Sequence, residues 1–290
     1  MRLKDLQLEF HRALDAIYGV EEVNSFFFLL VAHFFDIKRI DLALSPNIEI
    51  SSTKGIRNAL TALQQQKPIQ YIVGETEFFG LPFKVNTNVL IPRPETEELV
   101  SWIIEQFRIE NSEFRILDIG TGSGCIAIAF AKKLPNASVY AMDVSEKALE
   151  VAKANAKLNE VNVTFIKADI LNYDYPQLVS EIKNEIEKFD IIVSNPPYVR
   201  QQEKASMQPN VLENEPHIAL FVEDNNPLVF YEAISDFSKT ALKKNGKLFF
   251  EINEYLGSST MNVLQNNNFK NIELKQDIFG KDRMVKGVNF

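Results

Sequence analysis

The chain has 290 residues, 46% of them hydrophobic and 24% charged, which suits a folded globular protein of one large domain or two smaller ones. A net charge of −8 counts against a nucleic-acid binder that relies on broad phosphate neutralisation, so no direct nucleic-acid binding is expected. Cys125 is the only cysteine, which excludes an internal disulfide and fits a reducing, cytoplasmic compartment.

The opening MRLKDLQLEFHRALDAIYG mixes charges with apolar residues and lacks a signal-peptide core. Leu3, Leu6, Phe10, Leu14 and Ile17 recur at helical spacing, and Gly19 stops that helix. A second helix is expected over 22–35. Its stretch FFFLLVAHFF (26–35) contains His33 and is too short to span a bilayer, so it reads as a buried helix and no membrane partner is expected. A third starts at Ser51, Ser52 and Thr53, which can cap it, and runs until Pro68. Residues 1–75 are thus predicted to form a small helical domain with no catalytic constellation of its own. Over 76–92, alternating apolar residues with Gly80, Asn86 and Asn88 predict a β-hairpin linker. Pro94 then suits the first turn of a helix, with Glu95, Glu97 and Glu98 at the positive end of its dipole.

From 114 onward strands and helices alternate. RILDIG, SVYAMD, VTFIKAD, FDIIVSN and GKLFFEI read as strands; CIAIAFAKKL, SEKALEVAKANAKLN and LVFYEAISDFSKTAL read as helices. The alternation predicts an α/β domain over 93–290 with a doubly wound, mostly parallel, Rossmann-like sheet. KNEIEK (183–188) reads as a solvated charge run.

LDIGTGSG (117–124) joins the first of these strands to the first helix. Gly120, Gly122 and Gly124, with Thr121 and Ser123 between them, allow a tight turn and close approach of a ligand to main-chain N–H groups. The spacing is not G-x-G-x-x-G, because Cys125 stands where the third glycine would be, and no G-K-[ST] follows. Asp143 ends the next strand, placed either to accept both hydroxyls of a ribose or to cap the helix SEKALE. Asp169 ends the third strand, suited to an adenine amino group, and Ile170 beside it could pack on the ring. These residues describe a nucleoside site without phosphate chemistry, and S-adenosylmethionine is such a ligand.

The fourth strand ends in Asn195-Pro196-Pro197-Tyr198, facing the cofactor site. The prolines have no N–H to donate and stiffen the loop, leaving carbonyls such as that of Pro196 as outward acceptors. Asn195 adds a side-chain carbonyl, and two converging acceptors can hold an NH₂ group by both hydrogens. Tyr198 offers a flat face for a planar amide or amine. An amide nitrogen is a poor nucleophile because its lone pair is delocalised. Acceptors on both hydrogens orient it and stabilise the positive charge that develops on it. No metal is required, and His11, His33 and His217 have no partners at ligand spacing. Cys125 reads as a small packed residue. Arg93 either orders the loop before its helix or closes the substrate side of the pocket, and Glu213 has the same two readings.

DIGTGSG, AMDVS and SNPPYV, in this order, resemble a class I S-adenosylmethionine-dependent methyltransferase with an amino-group target. QYIVGETEFFG (70–80), IPRPETEELV (91–100), LENEPHIAL (212–220) and DRMVKG (282–287) resemble the HemK/PrmC family, the release factor glutamine N5-methyltransferases. The resemblance covers nearly the whole chain from about residue 68. It implies methylation of the glutamine in the Gly-Gly-Gln motif of class I peptide-chain release factors. It assigns Gly120 to Gly124 and Asp143 to the cofactor and Asn195 to Tyr198 to the glutamine, and it implies that the N-terminal helices grip another part of the factor. Three places depart from the family pattern: Leu256 lies in the region where a glutamine is usual, EDNNPLVFY lacks an Asp-Gly, and Ile170 replaces an aromatic residue. The rival reading is a nucleic-acid adenine-N6 or guanine-N2 methyltransferase, whose targets are also exocyclic amines. A non-catalytic module that kept the fold is the other.

Overall fold

The computed structural model describes residues 1–45, 47–107, 113–172, 174, 176, 177 and 188–290. Residues 183–187 of the charge run lie outside the described residues. The chain divides into two compact units, Met1–Gly74 with Gln208–Asn214, and Glu75–Met207 with Glu215–Phe290. The hairpin read as a linker is therefore part of the second unit, and a short segment following the Asn195 loop is part of the first.

The first unit holds α1 (Leu3–Tyr18), α2 (Val20–Phe35), α3 (Arg39–Leu44), α4 (Lys54–Gln64) and α5 (Ile69–Val73). Leu3, Leu6, Phe10 and Leu14 are fully buried against Val23, Phe27 and Leu30. Ile17, expected on the same stripe, is 44% exposed. Its place is taken by Tyr18, which packs on this core and donates its hydroxyl to the Leu63 carbonyl at 2.7 Å. Gly19, at φ 81°, separates α1 from α2 in a conformation that costs other residues strain. Thr53 occupies the N-cap position of α4, but its hydroxyl makes no capping bond. Two helices of five and six residues, α5 and α3, were too short to leave a periodic signal.

The second unit begins with the hairpin of β1 (Glu75–Phe78) and β2 (Leu81–Lys84). Phe79 and Gly80 both have positive φ, as a tight two-residue hairpin turn requires. The hairpin is shorter than expected, since Asn86 Oδ1 accepts from the Asn88 N–H and turns the chain away. Then follow α6 (Pro94–Phe107), β3 (Phe114–Ile119), α7 (Cys125–Lys133), β4 (Ala137–Asp143), α8 (Glu146–Leu158), β5 (Thr164–Lys167) and β6 (Phe189–Ser194). After the short parallel pair β7 (Val199–Arg200) and β8 (Phe221–Val222) come α9 (Val229–Ala241), β9 (Leu242–Glu251), α10 (Gly257–Asn266), β10 (Lys270–Gln276) and β11 (Asp282–Val288).

Seven strands form one sheet in the order β10-β11-β9-β6-β3-β4-β5. The five from β9 to β5 run parallel; β11 and β10 add an antiparallel edge that the sequence reading did not foresee. Both strands interleave charge with apolar residues; β10, at the edge, has no fully buried residue, and β11 buries Met284, Val285 and Gly287. Along β6, Ile191 and Val193 enter one core and Ile192 the other, as strand alternation dictates. Each such fully buried side chain stabilises the fold by roughly 1.5–3 kcal/mol relative to exposure. No helix among the described residues is long and apolar enough to cross a membrane.

Candidate active site

The order reverses at β3, which has β4 on one side and β6 on the other. Open α/β sheets bind ligands at such a switch point, outside the carboxyl ends of the strands. Register fixes what meets there. Ile119 pairs with Ser194, and Ser194 pairs with Phe250. The next residues are Gly120, Asn195 and Glu251, so the glycine loop, the Asn-Pro-Pro loop and a carboxylate emerge side by side. A cavity of about 300 Å³ opens at this edge, at the small end of the usual range for ligand sites. Its walls include Gly120, Thr121, Gly122, Ser123, Asp143, Asp169, Ile170, Asn195, Pro196 and Pro197.

The glycine loop is pinned from below. Gly120 and Thr121 donate their N–H groups to the Met142 carbonyl at 2.8 and 3.0 Å. Gly120 and Gly122 have positive φ, and a Cβ on either would meet nothing within 4 Å, which leaves open space over the backbone for a ligand. Gly124 is different, because a Cβ there would press on Ile128 and Ala152 at 3.0 and 3.1 Å, so it lets α7 and α8 approach. Asn155, fully buried on α8, donates to the carbonyls of both Ser123 and Lys84 and ties the hairpin to the loop.

Asp143 accepts from the Gly122 N–H and the Ser145 N–H, both at 2.8 Å, so its carboxylate is held at the cavity wall. Burial pushes its pKa up, against the backbone donors that pull it down. The helix cap is Ser145, whose hydroxyl accepts from the Ala148 N–H. Asp169 lies two residues past the end of β5 rather than on it, in a turn where it accepts from Leu171 and Asn172. Ile170 is half-buried on the core beside it. Two wall carboxylates suit a ribose, an adenine and a cationic sulfonium. The wall arginine, Arg93, is already committed to Glu215. The donor set therefore fits S-adenosylmethionine.

On the opposite wall, Asn195 Nδ2 donates to Thr96 Oγ1 at 3.2 Å. Among the described residues nothing donates to Asn195 Oδ1 or to the Pro196 carbonyl. Tyr198 departs from its expected position: its ring packs half-buried on the core and is not part of the cavity wall. Its hydroxyl donates to Glu251 Oε1 at 3.1 Å and its carbonyl accepts from Asn253 Nδ2 at the same distance. Desolvation, then the nearby Glu251 charge, pushes its pKa up.

Arg93 orders its loop through Glu215, which is buried and also accepts from the Ile91 N–H. Glu213, singled out from the sequence, is exposed. Cys125 is buried and its thiol is pushed up to about 12 by burial, so it is a packed residue. Sequence reasoning missed Thr96 and Glu251. Glu251 left a signal: it is the charge that closes the apolar run LFF at a strand's carboxyl end.

Residues 99–218 match the family model of the methyltransferase small domain. The chain is 54% identical, over 100% of both chains, to a release factor glutamine methyltransferase of Flavobacterium psychrophilum. It is 42% identical to one of Bacteroides thetaiotaomicron over 94% of this chain and 95% of that one. A T. thermophilus 16S rRNA N2 G1207 methyltransferase, solved with AdoMet and guanosine, shares the fold at TM-score 0.52 and 17% identity, covering 74% of this chain and 50% of that one. Full-length identity at this level, on a sheet edge with this glycine loop and Asn-Pro-Pro turn, shows that the chain belongs to the release factor glutamine methyltransferase family.

Proposed function

We propose that this enzyme transfers a methyl group from S-adenosylmethionine to the side-chain amide nitrogen of the glutamine in the Gly-Gly-Gln motif of class I peptide-chain release factors. The observation that carries the reading is the pair of unclaimed acceptors, Asn195 Oδ1 and the Pro196 carbonyl, on one wall of a cavity whose other wall suits the cofactor. When bound, S-adenosylmethionine supplies an electrophilic methyl on a sulfonium. Asp143 takes the ribose hydroxyls, Asp169 the adenine amino group, and Ile170 packs on the ring. Gly120 to Gly124 bring the backbone close enough for the ligand to seat.

Asn195 Oδ1 and the Pro196 carbonyl each accept a hydrogen bond from one N–H of the glutamine NH₂, and one of those protons passes to water once the nitrogen carries the methyl group. The two hydrogen bonds fix the nitrogen lone pair toward the methyl and supply negative potential where positive charge develops. Pro197 keeps the turn rigid, and Tyr198 anchors it to Glu251 and Asn253. Selection of one glutamine among many requires contacts beyond the cavity, and the N-terminal helical unit is proposed to supply them. A net charge of −8 speaks for a protein partner over a nucleic acid, and the working place is the cytoplasm.

The test is mass spectrometry of a whole release factor after incubation with enzyme and S-adenosylmethionine. One added methyl on the glutamine of its Gly-Gly-Gln peptide is expected. An unmodified factor alongside methylated rRNA or DNA would overturn the assignment.

A further inference from the structure

A chain of hydrogen bonds leads away from the acceptor loop into the core. Asn195 Nδ2 is 3.2 Å from Thr96 Oγ1, and Thr96 Oγ1 is 2.6 Å from Glu251 Oε2. Thr96 and Glu251 are 2% and 1% exposed. Burial raises the Glu251 pKa, against the Thr96 and Tyr198 hydroxyls and the Arg283 charge that favour the ionised form; in that form the carboxylate only accepts, so the single hydroxyl proton of Thr96 is committed to Glu251. Toward Asn195, Thr96 is then left only as an acceptor. The NH₂ end of the Asn195 amide must face Thr96, which leaves Oδ1 as the end free for the cavity. The other carboxylate oxygen of Glu251 takes the Tyr198 hydroxyl, three residues along the same loop.

We propose that Glu251 is a positioning residue for methyl transfer: through Thr96 it sets the orientation of the Asn195 amide, and through Tyr198 it holds the far end of the loop. The charge also polarises the chain. A hydrogen bond to an ionised group is the stronger kind, and linked hydrogen bonds reinforce one another, so Oδ1 becomes a better acceptor. Sheet register sets Glu251 beside Asn195, because each follows a paired residue at the ends of adjacent parallel strands, and α6 brings Thr96 between them. The inference rests on Asn195 acting as an acceptor for the substrate NH₂.

The test compares Thr96→Val, which keeps the shape and removes the hydroxyl, with Thr96→Ser, which keeps the relay, and with Glu251→Gln, which removes the charge. Turnover is measured on whole release factor at saturating cofactor, with cofactor affinity by calorimetry and melting temperature alongside. Thr96→Val and Glu251→Gln should lose on the order of 10–10²-fold in kcat, the scale of a misplaced reacting group, with cofactor affinity within about threefold. Thr96→Ser should restore kcat to within about threefold of the parent. A role in folding alone would lower the melting temperature and leave kcat per folded molecule unchanged. Folded Thr96→Val or Glu251→Gln with near-parental kcat overturns the proposal. If neither variant folds, hydrogen exchange of the Asn195 side-chain amide in ¹⁵N-labelled parent protein decides: slowed exchange supports the relay, and exchange at the free-amide rate overturns it. Asn195→Ala separates the two claims. Normal turnover there sinks the acceptor reading itself, whereas slow turnover there with normal Thr96→Val sinks only the role of Glu251.

Discussion

Asp118 is fully buried beneath the glycine loop, and only one of its carboxylate oxygens has a partner, the Thr121 hydroxyl at 2.6 Å. Burial lifts its pKa from 3.8 to about 7, against the Thr121 bond, with the Asp143 charge adding to the rise. Between those values the folded state holds a proton that the unfolded chain has lost, so stability falls as pH rises. The contribution is complete below pH 3.8 and is lost by the time pH passes about 7. About three pK units correspond to roughly 4 kcal/mol. Asp118→Asn cannot ionise and should gain on the parent by about that much between pH 4 and 7 in denaturant unfolding. Parallel pH profiles for the two proteins would contradict this. Residues of this kind were legible in unequal measure. Asp143 and Asn195 announced themselves because each is a polar residue ending an apolar strand. Thr96 did not, because it sits between Glu95 and Glu97 in a charged first helical turn, where a small polar residue breaks no apolar pattern. Glu215 was hidden for a similar reason: Glu213 two residues earlier is an equal candidate until burial separates them.

Elements that alternate apolar runs with turn residues could be read directly, and β3, β4, β6, α7 and α8 all lie where their sequences put them. The C-terminal pair β10 and β11 could not. KNIELKQ and DRMVKGV carry five and three charged residues or amides among their seven, which is what a half-exposed edge looks like and also what a loop looks like. Strand order was likewise out of reach of local pattern. It decides the site, because β6 returning to the far side of β3 is what sets Asn195 beside Gly120, and β9 pairing with β6 is what sets Glu251 beside Asn195. The relay from Glu251 is therefore a product of pairing rather than of any motif.

At the scale of the whole molecule, the two units have their own hydrophobic clusters, one built on Leu6, Phe10 and Phe27 and two others that sandwich the sheet. The residues proposed to hold the cofactor all belong to the second unit, so removing residues 1–74 should leave S-adenosylmethionine affinity within about threefold. It should lower kcat/KM on a whole release factor by on the order of 10²-fold, because remote binding energy is lost. A short Gly-Gly-Gln peptide should be a poor substrate for both forms, and normal methylation of the whole factor by the shortened enzyme would refute the docking role. Asn195 is proposed to act on the glutamine nitrogen as charge develops there. The most direct measurement is kcat of Asn195→Ala on a whole release factor, set beside the variant's affinity for S-adenosylmethionine. A fall on the order of 10²–10³-fold in kcat is expected, with cofactor binding weakened far less. Near-parental turnover by a folded Asn195→Ala enzyme would contradict this role.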